Sequence, residues 1–282
     1  MQGNSDFISV ASAARLNCHV APHDPLLLHY VEAAAFNAER PVRPLLLKGL
    51  LELPRVADEH GFVSVSVAKR LLTELAEELP VKSEWALPDI LSSPRVLRVH
   101  ELDFEVARDV MERFHYLRSA RTDGRAYGLS THGGRLVALC VSSPVDVERL
   151  HELLESHGRR SEFARVISRL FAFEGAPINS ISYMLARVGR EERRIGITDF
   201  LTYVNPNMGF TGSSYLASGW QLFGTESGTK YRYVDDRYIT DRELAAKFGA
   251  HDDDRYQYLL GRRFTVSIMP FQPLLVFHTG LI

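Results

Sequence analysis

The sequence predicts a mixed α/β (α+β) fold, in which a central sheet is flanked by helices and preceded by a small helical region. Three observations support this prediction. Apolar residues recur with a helical period through most of residues 1–94. After residue 95, short apolar runs typical of strands alternate with amphipathic segments. Two of these runs, 166–173 and 197–204, are apolar enough to be buried strands.

Residues 1–94 are predicted to form three helices followed by a linker. Pro25–Asn37 carries a proline in its first turn. Val42–His60 has a stripe of leucines and is followed by Gly61, a common helix stop. Ser66–Leu79 ends at Pro80, and the prolines and serines of residues 80–94 are typical of a linker.

The third of these helices bears on function, because three helices with a short turn can form a helix-turn-helix. Ser66–Leu79 offers Lys69 and Arg70 against three glutamates. A helix that reads DNA needs several basic or amide side chains on its open face. A helical cap is therefore favoured over DNA recognition for this region.

Residues 95–282 are predicted to form the second domain, built from alternating strands and helices. The turn at 132–134 joins two of its strands as an antiparallel hairpin. The predicted strands are Val96–Glu101, Ala126–Thr131, Leu136–Ser142, Val166–Phe173, Ile197–Val204, one from Gln221, Arg263–Met269 and Leu274–His278. The predicted helices are Phe104–Phe114 capped by Asp103, Val145–His157, one from Pro177 to about Val188, one at Tyr215, and one opened by the capping box Thr240–Glu243.

The composition excludes several classes of protein. Of 282 residues, 45% are hydrophobic and 24% charged, as in ordinary soluble globular chains. A net charge of -2 excludes a general polycation. Cys18 and Cys140 alone give no disulfide framework, and the polar start shows no signal peptide, so we expect a cytoplasmic protein. No apolar run is long enough to span a membrane, and no zinc-ligand spacing occurs, so no metal is expected.

The run from Gly212 to Trp220 is the most informative part of the sequence. It opens with small residues and closes with Gly219 followed by an aromatic residue. Tyr215 would lie one turn before the end of a short helix, where its hydroxyl can protonate a leaving group. The alternative is a short helix with one core tyrosine and one core tryptophan.

The order of elements and the Tyr-x-x-x-Gly-aromatic setting of Tyr215 resemble the GNAT acyltransferases. In that family the fourth strand and the following helix bind the acyl donor's pyrophosphate on backbone amides, and a later tyrosine acts as general acid. The nearest match to the family's phosphate signature, 193–198, lies before a strand, so it predicts a helix end with a glycine stop. The resemblance instead places donor binding at 174–180, and the candidate binding residues there and just after are Gly175, Asn179, Ser180 and Ser182.

A narrower resemblance, to the Mom-type DNA-modification proteins of phages, covers residues 96–278. It rests on Phe114–Leu117, Ser168–Leu170, Pro177–Ser182, Thr202–Pro206, Gly212–Trp220 and Gly224-Thr225. It implies that His115, Tyr116, Arg169 and Tyr215 are site residues, with Tyr203 and Trp220 beside them. The family's usual aspartate is replaced by Asn205, which can orient an amine but cannot take a proton.

Each of these residues also has a structural explanation. His115-Tyr116 could close a helix, Arg169 could pair with a structural carboxylate, and Asn205-Pro206 could form a turn. These alternatives stay open on the sequence alone.

These resemblances imply an N-acyltransferase that moves an acyl group onto an amine of a nucleobase or nucleoside. His115 would deprotonate the amine, Tyr215 would protonate the leaving group, and acyl-CoA or another acyl donor would bind. A nucleic-acid acceptor needs a basic face, and the candidates are Arg159, Arg160, Arg165, Arg187, Arg190, Arg193 and Arg194. Two alternatives remain: a small-molecule acyl or aminoacyltransferase that uses aminoacyl-tRNA, and a non-catalytic binding module.

Overall fold

The computed structural model describes residues 6–10, 25–87, 93–121, 123–226, 230–249, 252–267 and 272–280. The strands are β1 Phe7–Ser9, β2 Phe62–Ser64, β3 Arg98–Leu102, β4 Arg125–Ser130, β5 Leu136–Pro144, β6 Ala164–Ala172, β7 Asp199–Val204, β8 Gln221–Glu226, β9 Arg232–Val234, β10 Arg237–Ile239, β11 Phe264–Val266 and β12 Leu274–Gly280. The helices are α1 Pro25–Asn37, α2 Val42–Val56, α3 Val65–Glu77, α4 Lys82–Trp85, α5 Phe104–Phe114, α6 Glu148–Ser156, α7 Ser180–Arg193, α8 Ser213–Leu216, α9 Asp241–Phe248 and α10 Asp253–Leu260.

The chain divides into two compact units. The first unit is Met1–Val81 with Asn207–Gly209 and Gly228–Gln272. The second unit is Lys82–Pro206 with Phe210–Ser227 and Pro273–Ile282.

The first unit contains the three predicted helices, α1 to α3, packed against one another. α2 ends at Val56, earlier than the predicted His60, because a turn follows it: the Gly61 N–H donates to the Asp58 carbonyl at 3.0 Å, and Gly61 has a φ of +79°. The turn leads into β2, which pairs antiparallel with β1. These two short strands were not predicted.

Residues 230–267 also belong to the first unit, although the sequence analysis placed them in the second domain. They form a three-stranded sheet in the order β10-β9-β11, with α9 and α10. Tyr233 is buried and its hydroxyl donates to the Leu51 carbonyl at 2.8 Å. A contact between residues so far apart in sequence leaves no local pattern. The predicted capping box of Thr240 and Glu243 is confirmed.

The second unit is built on a seven-stranded sheet in the order β3-β4-β5-β6-β7-β12-β8, which confirms the predicted mixed α/β class. All neighbouring strands are antiparallel except β6 and β7. α5 and α7 pack in one apolar cluster and α6 in another. Phe200 lies in the first cluster and Leu201 in the second, so the clusters cover opposite faces of the sheet.

The pairing of β6 with β7 is short and creates an opening at the centre of the sheet. The parallel ladder runs from Ala164–Asp199 to Val166–Leu201 and ends there, although both strands continue. Beyond it, the Thr202 hydroxyl donates to the Ile167 carbonyl at 3.0 Å. Past this contact, backbone groups that would pair in a longer ladder face the opening.

The structure describes only part of the predicted linker. The predicted linker at 80–94 contains α4, and its residues 88–92 lie outside the described part. Within the ranges given above, no helix is long and apolar enough to cross a membrane.

Candidate functional site

Two glycines in left-handed conformation set the position of Tyr215 in α8. Gly212 starts the helix with a φ of +74°, and Gly219 ends it with a φ of +79°. The N–H of Trp220 donates to the Tyr215 carbonyl at 3.0 Å, and that of Gly219 to the Leu216 carbonyl at 3.0 Å. This is a Schellman ending, which fixes Tyr215 one turn before the helix stops.

The Tyr215 side chain points into the second unit, towards the opening between β6 and β7. Its hydroxyl lies 3.3 Å from the hydroxyl of Thr202, whose exposed fraction is 1%. The ring packs on Trp220 at 5.1 Å and on Phe277 at 6.0 Å between centroids. Burial raises the pKa of Tyr215 well above its usual value, so the phenol is protonated at neutral pH.

His115 follows the last residue of α5 and is buried. Its backbone N–H donates to the Met111 carbonyl at 3.1 Å, which gives that carbonyl at the end of the helix a hydrogen-bond partner. The Nδ1 atom of its ring accepts from the Leu117 N–H at 3.2 Å. Burial, with a smaller effect from the charge of Arg169, lowers the pKa of His115 to about 3. The ring is therefore neutral and carries its proton on Nε2, where it can donate.

Tyr116 stacks on the neighbouring His115 ring at 4.5 Å and lies 5.7 Å from the Phe210 ring. Burial raises the pKa of Tyr116 to about 12, and the positive charge of Arg169 acts in the opposite direction. Tyr116 also raises the pKa of Tyr215 through its charge. The structure therefore brings four predicted site residues into one group.

Arg169 is held by oxygen acceptors from two parts of the chain. It donates from Nε to the Ser119 carbonyl at 2.7 Å, from Nη2 to the Ser119 hydroxyl at 2.9 Å, and from Nη1 to the Ser168 carbonyl at 2.7 Å. These bonds fix the guanidinium near His115 and Tyr116, whose pKa values both respond to its charge.

The N-terminus of α7 follows β6 and presents backbone amides. Asn179 occupies the N-cap position with a φ of +66°, and its side chain makes no capping bond. The Ser180 and Ser182 hydroxyls donate to carbonyls of the same turn, at 2.6 and 3.0 Å. Among the described residues, the N–H groups of Ile181 and Ser182 have no backbone acceptor. Such a helix end attracts anions.

Three other predicted residues take different positions. Gly175 turns the chain between β6 and α7 with a φ of +85°. Asn205 is half-buried and directly follows β7. Tyr203 lies on the opposite face of the sheet, in the α6 cluster beside Phe223, because neighbouring residues of a strand alternate between faces. The structure does not bring Tyr203 to the Tyr215 group.

Sequence reasoning missed Thr202, Ser119 and Leu117. Thr202 stands within the motif at 202–206, but nothing in that motif marks its hydroxyl as a contact of Tyr215. Ser119 holds Arg169 across 50 residues of sequence, and Leu117 acts only through its backbone. The helix end with a glycine stop that was predicted at 193–198 is confirmed: α7 ends at Arg193, and Gly196 follows with a φ of +90°.

Metal ligands are not grouped in the described part of the chain. There, no three side chains of His, Cys, Asp or Glu lie together as a metal ion would require.

No protein-family model and no curated protein matches this sequence. Several solved structures with a similar fold are acetyltransferases. The ribosomal-protein-S18-alanine N-acetyltransferase of Escherichia coli has a TM-score of 0.39 and 9% identity, covering 66% of this chain and 94% of that chain. A Kribbella flavida GCN5-related N-acetyltransferase has a TM-score of 0.37 and 10% identity, covering 67% and 100%. A Bacillus subtilis acetyltransferase in complex with CoA has a TM-score of 0.36 and 10% identity, covering 66% and 99%.

Proposed function

We propose that this chain is an N-acyltransferase of the GNAT type, which moves an acyl group from acyl-CoA to an amine. The observation that carries the proposal is the position of Tyr215: a buried, protonated phenol beside the place where β6 and β7 stop pairing. His115, Tyr116 and Arg169 belong to the same group. An acid, a neutral donor and a fixed positive charge are the groups that acyl transfer to an amine needs.

The donor would bind between two features of the second unit. The amides of Ile181 and Ser182 and the positive end of α7 suit the pyrophosphate of CoA. The backbone edges of β6 and β7 past Thr202 suit the amide groups of the pantetheine arm. The thioester would then reach the Tyr215 group.

The residues divide the chemistry as follows. The amine nitrogen attacks the thioester carbonyl, and the carbonyl oxygen gains negative charge. The Nε2–H of His115 donates to that oxygen, and the charge of Arg169 favours it. The C–S bond then breaks, and Tyr215 protonates the departing thiolate. The amine loses its proton to water, while Asn205 orients it.

In this scheme His115 is a hydrogen-bond donor, whereas the sequence analysis expected a base. A neutral ring with Nδ1 engaged by the Leu117 N–H would have to take the new proton on that engaged atom. The buried position beside Arg169 disfavours the resulting imidazolium. A role for His115 as a hydrogen-bond donor agrees with both the engaged Nδ1 atom and the lowered pKa of the ring.

Donor binding is tested by calorimetric titration of the protein with acetyl-CoA and with acetyl-pantetheine. We expect acetyl-CoA to bind at least about tenfold more tightly, because only acetyl-CoA carries the pyrophosphate that α7 would hold. Release of free thiol is then followed with a panel of amines. Absence of acetyl-CoA binding by the folded protein would contradict the proposed function.

A nucleic-acid acceptor is supported by one observation on the surface of α7. Four of the seven candidate arginines form ion pairs with acidic residues, and each pair has no net charge. The pairs are Arg159 with Asp199, Arg160 with Glu162, Arg165 with Glu192 and Arg194 with Glu191. The other three, Arg187, Arg190 and Arg193, are exposed, and among the described residues they have no acidic partner. We call these three the α7 arginine row. A row of arginines without acidic partners suits a phosphodiester backbone.

The acceptor within that class would be an exocyclic amine of a base. Such an amine is hard to reach in a stacked duplex, so single-stranded or flipped bases are expected to react first. Incubation with acetyl-CoA and either single-stranded or duplex DNA, followed by digestion and mass spectrometry of the nucleosides, tests this. Acylation of free amines with no modified nucleoside from either DNA would favour a small-molecule acceptor.

A further inference from the structure

Thr202 occupies the first position past the parallel ladder of β6 and β7. Its exposed fraction is 1%, and its hydroxyl oxygen lies 3.0 Å from the Ile167 carbonyl and 3.3 Å from the Tyr215 hydroxyl. The same hydroxyl therefore touches the opening of the sheet and the proposed acid.

The hydrogen bonds of the Thr202 hydroxyl are limited by the single proton that it carries. Thr202 has one proton to donate, and the Ile167 carbonyl can only accept. The Thr202 hydroxyl is the donor in both contacts, to the Ile167 carbonyl and to the Tyr215 oxygen, so its single proton is shared between the two acceptors. A phenolate at Tyr215 could only accept, and the Thr202 proton would then favour it over the neutral carbonyl, because bonds to ionised acceptors are stronger.

Resting on the proposed function, we propose that Thr202 is a positioning residue for Tyr215: its proton is shared between the Ile167 carbonyl and the Tyr215 oxygen at rest, and it is donated to the phenolate alone after the phenol proton has left. No bond to carbon is involved: the phenol proton goes to the thiolate of the leaving group, and the Thr202 proton turns from Ile167 to the Tyr215 oxygen.

The proposed acid needs such help because its surroundings are poor in polar groups. Among the described residues, Thr202 is the one side chain that hydrogen-bonds with the Tyr215 hydroxyl. The rings of Trp220 and Phe277 pack on the Tyr215 ring, and burial, with smaller effects from Tyr116 and Cys140, raises the pKa of Tyr215. A thiol has an ordinary pKa of about 8.5, so transfer from a buried phenol to a thiolate is unfavourable unless the phenolate is stabilised.

The test replaces Tyr215 with 3,5-difluorotyrosine, whose phenol is more acidic than that of tyrosine, and titrates its absorbance. It compares the otherwise unchanged protein with Thr202→Val, which keeps the shape and removes the hydroxyl, and with Thr202→Ser, which keeps the hydroxyl. Near-ultraviolet circular dichroism verifies folding. We expect Thr202→Val to raise the pKa of the difluorotyrosine by about one unit and Thr202→Ser to change it by only a few tenths.

Equal pKa values in all three proteins would overturn the proposal. If Thr202→Val does not fold, Thr202→Cys replaces it, because a thiol is a weaker donor and should give a smaller rise in the same direction.

The titration needs no turnover, so it separates the Thr202 assignment from the proposed function. A shift of the pKa in a protein that acylates nothing supports the Thr202 assignment and contradicts the proposed function. In an active protein with Tyr215 intact, Thr202→Val should lower kcat about tenfold with an unchanged Kd for acetyl-CoA, and Thr202→Ser should not.

Discussion

The backbone N–H of Leu117 points at Nδ1 of His115, two residues earlier, at 3.2 Å. This contact fixes the neutral tautomer of the ring and leaves a proton on Nε2. Since both the burial of His115 and the charge of Arg169 oppose a second proton, the ring enters the proposed reaction as a donor.

The donor role predicts different effects for two substitutions of His115. In His115→Gln the amide can accept from the Leu117 N–H with its oxygen and donate with its nitrogen, so we expect at least about a tenth of the turnover to remain. In His115→Leu no donor remains, and we expect a loss of about 100-fold, the usual effect of removing one such donor. Steady-state kinetics with acetyl-CoA measures both. Equal, large losses in the two variants would instead indicate a base.

The lowered pKa of His115 also predicts a dependence of stability on pH. An unfolded histidine titrates near 6.5, whereas His115 in the folded chain stays neutral down to about pH 3. Between these values the unfolded state binds one more proton, so the free energy of unfolding falls as the pH falls through 6.5. The contribution of one such group is about 1.4 kcal/mol per pH unit.

Urea unfolding of the protein and of His115→Gln at pH 7, 6 and 5 measures this contribution. We expect the wild-type free energy to fall more steeply than that of the variant, which lacks the titrating ring. Parallel curves would show that His115 takes up a proton in the folded state.

The two glycines around α8 predict a matched pair of stability effects. A Cβ atom at Gly212 would lie 2.5 Å from the Phe277 ring, in addition to the strain of a φ of +74°. At Gly219 the φ is +79°, and nothing lies within 4 Å of the added atom. We expect Gly219→Ala to cost about 1 kcal/mol from backbone strain alone, and Gly212→Ala clearly more. Thermal or urea unfolding of the two variants checks the difference.

The Gly212 variant should also lose more turnover than the Gly219 variant. The clash with Phe277 would move the start of α8 and with it the Tyr215 hydroxyl. Equal unfolding free energies for the two variants would mean that the close approach of Gly212 to Phe277 does not exist in solution.

The α7 arginine row predicts salt-dependent binding of nucleic acid. Replacing Arg187, Arg190 and Arg193 with glutamine should weaken binding of single-stranded DNA and lower the slope of log K against log salt by about two to three. The matched control replaces Arg108, Arg113 and Arg160, which are paired with Glu105, Asp109 and Glu162. Fluorescence anisotropy at several salt concentrations compares the two triple variants. The same loss in both would indicate a general charge effect and no specific surface.

The fold of the second unit could be predicted well because its helices and strands are indicated by patterns of consecutive residues. Asp103 caps α5 as expected, and the apolar run that ends at Val204 became the buried strand β7. The Tyr-x-x-x-Gly-aromatic spacing around Tyr215 corresponds to a Schellman ending, which depends on a few consecutive residues. The group of His115, Tyr116, Arg169 and Tyr215 was expected from the resemblance, and the structure brings these residues together.

The remaining features depend on contacts between distant residues. Nothing near Tyr233 indicates that its hydroxyl bonds to the carbonyl of Leu51, so residues 230–267 were assigned to the other domain. The tautomer of His115 depends on a backbone N–H, which no side-chain pattern encodes. The separation of Tyr203 from Tyr215 follows from the alternation of side chains between the two faces of β7. The sequence motif around Tyr203 gives no indication of it.

The central claim, acyl transfer assisted by the Tyr215 phenol, is tested most directly by mass spectrometry of acyl products. The protein and its Tyr215→Phe variant are incubated with ¹³C-labelled acetyl-CoA and a mixture of nucleosides, single-stranded DNA and small amines. The account predicts a labelled amide on at least one amine with the wild-type protein, formed at least about 100-fold more slowly by the variant at equal acetyl-CoA binding. No labelled product, or equal rates for the two proteins, would contradict it.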